Sequence, residues 1–98
     1  MSKSLLSNER RCYLCGTTLN LHRHHIYSTA FRNKSERNGC WVYLCYEHHT
    51  GNHGVHNTHE GQLYWRKLKA ECQEAFERIH GHEKFMKEFK RNYKEEEK

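Results

Sequence analysis

The sequence contains no proline and few hydrophobic residues, which make up 35% of its 98 positions. A core built from so few apolar side chains is marginal, so a structural metal would help to hold the fold. No apolar run approaches the length that crosses a bilayer, so we expect neither a membrane-spanning segment nor a membrane partner. Internal repeats and interdomain linkers are also missing. The length therefore predicts one domain over residues 1–98.

We also expect no signal peptide, because residues 1–8 are polar apart from Leu5 and Leu6. We therefore expect a cytoplasmic protein whose thiols are reduced. Five cysteines are present, and in a reducing compartment paired cysteines are more often metal ligands than disulfides. Lys and Arg number 17 against 12 Asp and Glu, a balance that suits a polyanionic partner.

Histidine, by contrast, is in excess. The chain has ten histidines, and seven of them lie between His22 and His56. Imidazole is a common metal ligand and accepts protons near neutral pH. A hydrophobic core does not need so many imidazoles, so their density predicts a metal-dependent site.

The cysteines add two pairs of ligand type with equal spacing. Cys12 and Cys15 form a C-x-x-C motif followed by glycine, which is typical of a zinc-knuckle turn. Cys45 and His48 repeat the spacing further along the chain. Three thiolates and one imidazole are an accepted structural zinc set. The sequence therefore predicts one structural Zn²⁺ bound by these four residues.

Two short strands are predicted ahead of any long helix. A first strand within 19–27 carries His24 and His25, and a polar, basic loop over 28–39 follows it. A second strand over 40–44 is apolar, β-branched and aromatic. Cys40, which opens it, is predicted to be a core residue rather than a ligand.

Two helices are predicted after the strands. The first begins within 57–60, where a capping side chain precedes Glu60, and it stops at His80 and Gly81. Apolar side chains recur along it at spacings of three and four, which defines a buried face: Tyr64, Leu68, Cys72, Phe76 and Ile79. A shorter helix carries a second apolar stripe: Phe85, Met86, Phe89 and Tyr93. The elements together predict an α+β fold.

The order of these motifs resembles the His-Asn-His (HNH) endonucleases of the ββα-metal class, and most of all their small zinc-bearing form, common in phage genomes. That form reads C-x-x-C, then His-His with a hydrophobic residue, then a strand ending L-C-x-x-C-H. The matching segments here are the cysteine knuckle, HHI at 24–26 and LCYEHH at 44–49. His48 replaces the second cysteine of the distal knuckle, and Cys40 stands where the family has its asparagine.

This resemblance implies a small ββα-metal (His-Me finger) core over about 12–56, with a zinc-knuckle pair and a helical extension over about 57–93. It implies a metal-dependent DNA endonuclease that hydrolyses phosphodiester bonds, derived from a phage and acting in a bacterial or phage-infected cell. By resemblance, His24 and His49 bind a catalytic divalent metal, Mg²⁺, Mn²⁺, Ni²⁺ or Zn²⁺, and His25 is the general base. Neighbouring strand residues point to opposite faces, which also predicts different roles for His24 and His25.

The third ligand of this metal has two candidates. His53 follows His49 at a spacing that fits one helical face, but Gly51 disfavours a helix there. His56 lies just before the predicted helix cap and resembles the Gly-Val-His of the phage proteins. We prefer His56 and keep His53 as the alternative.

DNA contact is expected from the basic residues of the predicted loop, with Arg32 nearest the site and Lys34 and Arg37 beside it. A second hypothesis is a non-catalytic zinc-binding module that recognises nucleic acid. A third has both His pairs in one extended structural zinc cluster. His25 discriminates between the first two, because a binding module has no use for a non-ligand imidazole beside an open metal site. Target sequence, nicking against double-strand cleavage, and oligomeric state stay open.

Overall fold

The computed structural model describes residues 3–94, so the ends of the predicted domain, 1–2 and 95–98, lie outside the described residues. Within this range the chain is a mixed α+β fold, as predicted. Two strands alternate with helices: β1 (Leu21–His25), a 3-10 turn (Thr29–Phe31), α1 (Arg32–Arg37), β2 (Trp41–Cys45), α2 (Tyr46–His49), α3 (His59–His80) and α4 (His82–Phe89).

The strands pair antiparallel into a two-stranded sheet, with Leu21 opposite Cys45 and His25 opposite Trp41. Both strands were predicted, and their observed bounds lie within one or two residues of the expected ones. The chain passes from β2 directly into the single turn of α2. The end of β2 therefore lies beside the start of β1, and the histidines of α2 follow directly after it.

The prediction of a loop over 28–39 was wrong, because this segment contains the 3-10 turn and α1. Its helical residues are polar and lack an apolar stripe, so no periodicity marks them in the sequence. The helix is held instead by Ser35, which is fully buried. The Ser35 hydroxyl donates to the Tyr27 carbonyl (2.5 Å) and accepts from the Tyr27 N–H (3.1 Å). Tertiary hydrogen bonds thus replace a hydrophobic face.

Helix α3 starts and stops near its predicted limits. Thr58 is the N-cap, since its hydroxyl oxygen accepts from the Gly61 N–H at 2.8 Å. The middle of the predicted apolar face is buried, but Ile79 is 64% exposed, so the stripe was extended one residue too far. The buried face of α3 ends at Phe76. Its ring lies 5.5 Å from the ring of Phe85 in α4, which folds back against α3.

Tyr27, which follows β1, joins the aromatic side chains of α3 and α4 in one hydrophobic cluster. The Tyr27 ring lies 4.6 Å from Phe89 and 4.8 Å from Tyr93. Cys40 and Cys72 are both fully buried in this cluster, which confirms that they are core residues. Among residues 3–94, no helix is long and apolar enough to cross a membrane.

Candidate metal centres

The two predicted knuckles meet at one corner of the sheet. Cys12 and Cys15 lie in the turn before β1, Cys45 ends β2 and His48 lies in α2. The Sγ atoms of Cys15 and Cys45 are 3.8 Å apart, and His48 Nδ1 lies 3.3 Å from Cys45 Sγ and 3.9 Å from Cys12 Sγ. All four ligand atoms lie within 4.8 Å of one another. The cluster could therefore hold a metal ion.

These separations fit zinc. Tetrahedral Zn²⁺ with ordinary bond lengths places sulfur ligands about 3.8 Å apart and sulfur and nitrogen about 3.6 Å apart. Burial opposes ionisation of Cys12, but backbone hydrogen bonds from Cys45, Cys15 and Leu14 outweigh it and lower the pKa of the thiol. Burial raises the pKa of Cys45 to about 11. Local hydrogen bonds thus favour the thiolate form of Cys12, and a bound cation would favour the thiolate form of Cys45.

A second cluster consists of imidazoles alone. The ligand nitrogens of His24, His49 and His56 lie within 4.8 Å of one another, and the Nε2 atoms of His49 and His56 are 3.1 Å apart. His24 is 1% exposed, and its Nε2 has no hydrogen-bond partner among residues 3–94. A buried polar atom without a partner costs about 1–3 kcal/mol. A cation among the three rings would supply that partner, so this cluster also fits a metal ion.

Three elements bring the imidazoles together. His24 projects from β1 and His49 ends α2. The loop after α2 folds back onto that helix, because the His56 N–H donates to the His49 carbonyl at 3.3 Å. Trp65 of α3 then packs edge-on against His24 (4.9 Å between ring centres) and His56 (4.8 Å). The Trp65 indole N–H donates to the Ile26 carbonyl at 2.8 Å, which holds the Trp65 ring in place against the two imidazoles.

The pKa values of all three rings are lowered, which favours the neutral imidazoles. Burial, reinforced by the neighbouring His49 and His56, lowers the pKa of His24 to about 3. Burial also lowers the pKa of His49 to about 4, with His56 and His22 adding to the effect. The pKa of His56 is lowered by burial as well. Neutral imidazoles keep a free lone pair, which is the form that binds metals.

Of the two candidates for the third ligand, the structure brings His56 to this cluster and places His53 elsewhere. His53 is exposed, and its Nδ1 lies 3.0 Å from a Glu60 carboxylate oxygen. That hydrogen bond raises the pKa of His53. The zinc-type ligands and the imidazole ligands form separate groups among the described residues. They do not merge into the single extended cluster of the third hypothesis.

His25 is close to the imidazole cluster but does not belong to it. Its Nε2 lies 2.8 Å from a Glu36 carboxylate oxygen, and its Nδ1 faces the Arg32 Nε at 3.4 Å. Although His24 and His25 are neighbours on a strand, both line one cleft of about 210 Å³. The remaining lining residues of this cleft are Arg23, Ser28, Arg32, His49 and His56.

The three predicted DNA-binding residues separate in space. Arg32 is exposed and lines the cleft. Lys34 is directed towards α4, where its Nζ donates to the Glu88 carbonyl at 3.0 Å. Arg37 is exposed on α1 and is not among the cleft residues. Arg32 is therefore the one member of the set that can reach a molecule in the cleft.

Three residues around the clusters were not foreseen from the sequence. Trp65 could have been found, because it lies three residues before Leu68 and continues the apolar face of α3. His22 could also have been found, since it lies two residues before His24 and so on the same face of β1. Glu36 has no detectable signal in the sequence, because it lies in a polar segment without apolar periodicity.

The chain matches no protein-family model, no curated protein and no solved structure among those with which it was compared. The structure by itself defines a small α+β protein with a Cys/His cluster that could hold a metal such as zinc.

Proposed function

We propose that the protein is a metal-dependent DNA endonuclease of the ββα-metal type, in which β1, β2 and α2 form the ββα unit. The observation that supports this most directly is the content of one cleft. It holds a three-imidazole cluster that fits a metal, a further imidazole outside that cluster, and an exposed arginine. Phosphodiester hydrolysis needs these three kinds of group: positive charge, a base for water and a phosphate anchor.

Each side chain then has a separate task. His24, His49 and His56 would hold a divalent ion, which would supply positive charge to the phosphate and the leaving oxygen. His25 accepts a proton from the attacking water at Nδ1, the nitrogen that is turned away from Glu36. The water oxygen bonds to phosphorus as the ester P–O bond breaks, and the leaving oxygen takes a proton from solvent. Arg32 orients the phosphate through its N–H donors.

The test is nicking of supercoiled plasmid with Mg²⁺, Mn²⁺, Ni²⁺ or Zn²⁺ as the added ion. We expect the parent protein to cleave with at least one of them. His49→Ala should lose cleavage, because it removes a central ligand, and should keep its structural zinc and its fold by circular dichroism. His53→Ala is the matched control and should cleave like the parent. A parent that cleaves with none of these ions, or a fully active His49→Ala, would contradict the proposal.

The alternative is a non-catalytic zinc-binding module that recognises nucleic acid. The formal net charge of +5 suits a polyanion under either hypothesis. Binding to DNA that weakens with added salt, as counterion release requires, would therefore not separate the two. Salt-dependent binding without cleavage in any of the four ions would favour the module.

A further inference from the structure

Glu36 lies on α1 and holds two residues of β1 at once. One carboxylate oxygen is 2.8 Å from His25 Nε2, and the other accepts from Arg23 Nη1 at 2.9 Å. His25 and Arg23 are two positions apart on the strand and therefore share a face. The carboxylate bridges the helix and the strand at the edge of the cleft.

The bridge is anchored on its far side. The Arg23 guanidinium lies 3.6 Å from the centre of the Trp41 ring, a stacking arrangement that restrains it. Trp41 is buried and is the strand partner of His25. Partial burial raises the pKa of Glu36, but the hydrogen bonds from His25 and Arg23 outweigh it and lower the pKa. Glu36 is thus an ionised carboxylate held in a defined place.

These contacts select one tautomer of His25. An ionised carboxylate only accepts hydrogen bonds, so the nitrogen facing Glu36, Nε2, must carry the proton. An arginine only donates, so the nitrogen facing Arg32, Nδ1, must offer its lone pair. Both neighbours require the same assignment. The lone pair of His25 then faces the exposed Arg32, which is also a residue of the cleft.

We propose that Glu36 is the positioning residue for His25, which fixes its ring orientation and its Nε2–H tautomer so that Nδ1 faces the cleft. Glu36 is not one of the three residues of the imidazole cluster, and it acts through His25. The tautomer assignment does not depend on nuclease activity, whereas its consequence for turnover rests on the function proposed above.

The first experiment reads the tautomer directly by long-range ¹H–¹⁵N NMR of the histidine rings near pH 7, with structural zinc bound and no other divalent ion added. We expect the parent His25 to show protonated Nε2 and unprotonated Nδ1. Glu36→Ala leaves only the longer contact with Arg32 (3.4 Å) to favour this tautomer, so it should give a mixture of tautomers. Glu74→Ala, which removes an exposed glutamate of α3, is the matched control and should leave the His25 signals unchanged. A parent His25 protonated at Nδ1, or an unchanged tautomer in Glu36→Ala, would overturn the proposal.

The second experiment measures turnover on plasmid DNA. Glu36→Ala should lower kcat roughly 10- to 100-fold. This loss is smaller than the contribution of a positioned general base, which is about 100- to 10,000-fold. KM should change little, because in this proposal Glu36 acts only through His25. Glu36→Gln keeps a hydrogen-bond acceptor and should recover part of the lost kcat. If Glu36→Gln is as slow as Glu36→Ala, positioning by a hydrogen bond is refuted.

A double variant separates positioning from a general structural effect. If Glu36 acts through His25, the combination of Glu36→Ala with His25→Ala should be no slower than His25→Ala alone. Additive losses would show that Glu36 acts by another route. If the parent protein cleaves no DNA with any ion, the proposed function fails, and the NMR result still decides the role of Glu36.

Discussion

The orientation of each imidazole decides whether three of them can share one ion. His49 is the central ring: its Nε2 faces His56 and its Nδ1 lies 3.0 Å from His22 Nδ1. Metal-binding histidines generally donate their second ring N–H to a neighbouring acceptor, which fixes the tautomer. His22 is placed to be that acceptor, although it contributes no atom to the imidazole cluster.

His22→Ala should therefore weaken binding of Mn²⁺ to the imidazole cluster by roughly 10- to 100-fold, the usual effect of losing an outer-shell partner. The measurement is titration calorimetry on zinc-loaded protein. His59→Ala removes an exposed histidine at the start of α3 and should bind Mn²⁺ like the parent. Unchanged affinity in His22→Ala would refute the outer-shell role, and complete loss of binding would make His22 a ligand itself.

The identity of the third ligand is a second prediction at this scale. His56→Ala should abolish measurable Mn²⁺ binding at the cluster, because two imidazoles, one of them deeply buried, leave the ion too few ligands. His53→Ala should bind normally, since His53 is paired with Glu60 outside the cluster. The same titration tests both variants. The reverse pattern would show that His53 replaces His56 when metal is bound.

Among the elements, the start of α3 matters most for the site. Gly61 lies in the first turn of that helix, and a Cβ atom there would be 1.8 Å from the Gly54 carbonyl oxygen. Only glycine allows the helix to lie this close to the loop that carries His56. The Thr58 hydroxyl reinforces the contact by donating to the same carbonyl at 2.9 Å. The position of His56 therefore depends on helix packing as well as on local chain geometry.

Gly61→Ala should destabilise the protein, whereas alanine in place of glycine within a helix usually stabilises it. Replacing glycine by alanine within a helix normally stabilises it by about 1 kcal/mol. Here we expect destabilisation by about 1–3 kcal/mol, the range for overpacked sites, because backbone rather than a flexible side chain must move. Urea denaturation measures the change. Leu63→Ala, at an exposed position of the same helix, should stay within about 0.5 kcal/mol. A Gly61→Ala protein more stable than the parent would contradict the packing argument.

At the scale of the whole molecule, the fold combines a small hydrophobic core with a corner that a metal ion could cross-link. The Cys/His cluster joins the turn before β1 to the junction of β2 and α2. A zinc ion there would close a long loop of chain and restrict the unfolded state. Structural zinc is worth about 10–16 kcal/mol in small domains, which is as large as the stability of an ordinary domain.

Cys12→Ser should therefore release zinc and unfold the domain. The measurements are zinc content by plasma mass spectrometry and helicity by circular dichroism. Cys40→Ala is the matched control: Cys40 is buried in the core, so this variant should lose some stability and keep one zinc per chain. A folded Cys12→Ser protein with full zinc content would show that the cluster is not a structural zinc site.

The two knuckles, the two strands and the long helix could be predicted from the sequence, because local features define them. The spacing of two residues between ligands places both side chains of a knuckle on one side of a turn. The apolar repeats of α3 and the short apolar run of β2 predict which of their residues are buried. Helix α1 could not be predicted, because its polar residues fold onto Tyr27 through the single buried hydroxyl of Ser35.

Tertiary structure alone decided how the remaining polar residues are used. Several spacings suited a metal; the packing of α3 against the loop, together with the loop's hydrogen bond to the His49 carbonyl, brings His56 rather than His53 to the imidazole cluster. The contact between Glu36 and His25 joins residues 11 positions apart on different elements, so no local pattern records it. Hydrogen bonds and close approaches between elements leave no periodic trace in a sequence, whereas ligand spacing and apolar repeats do.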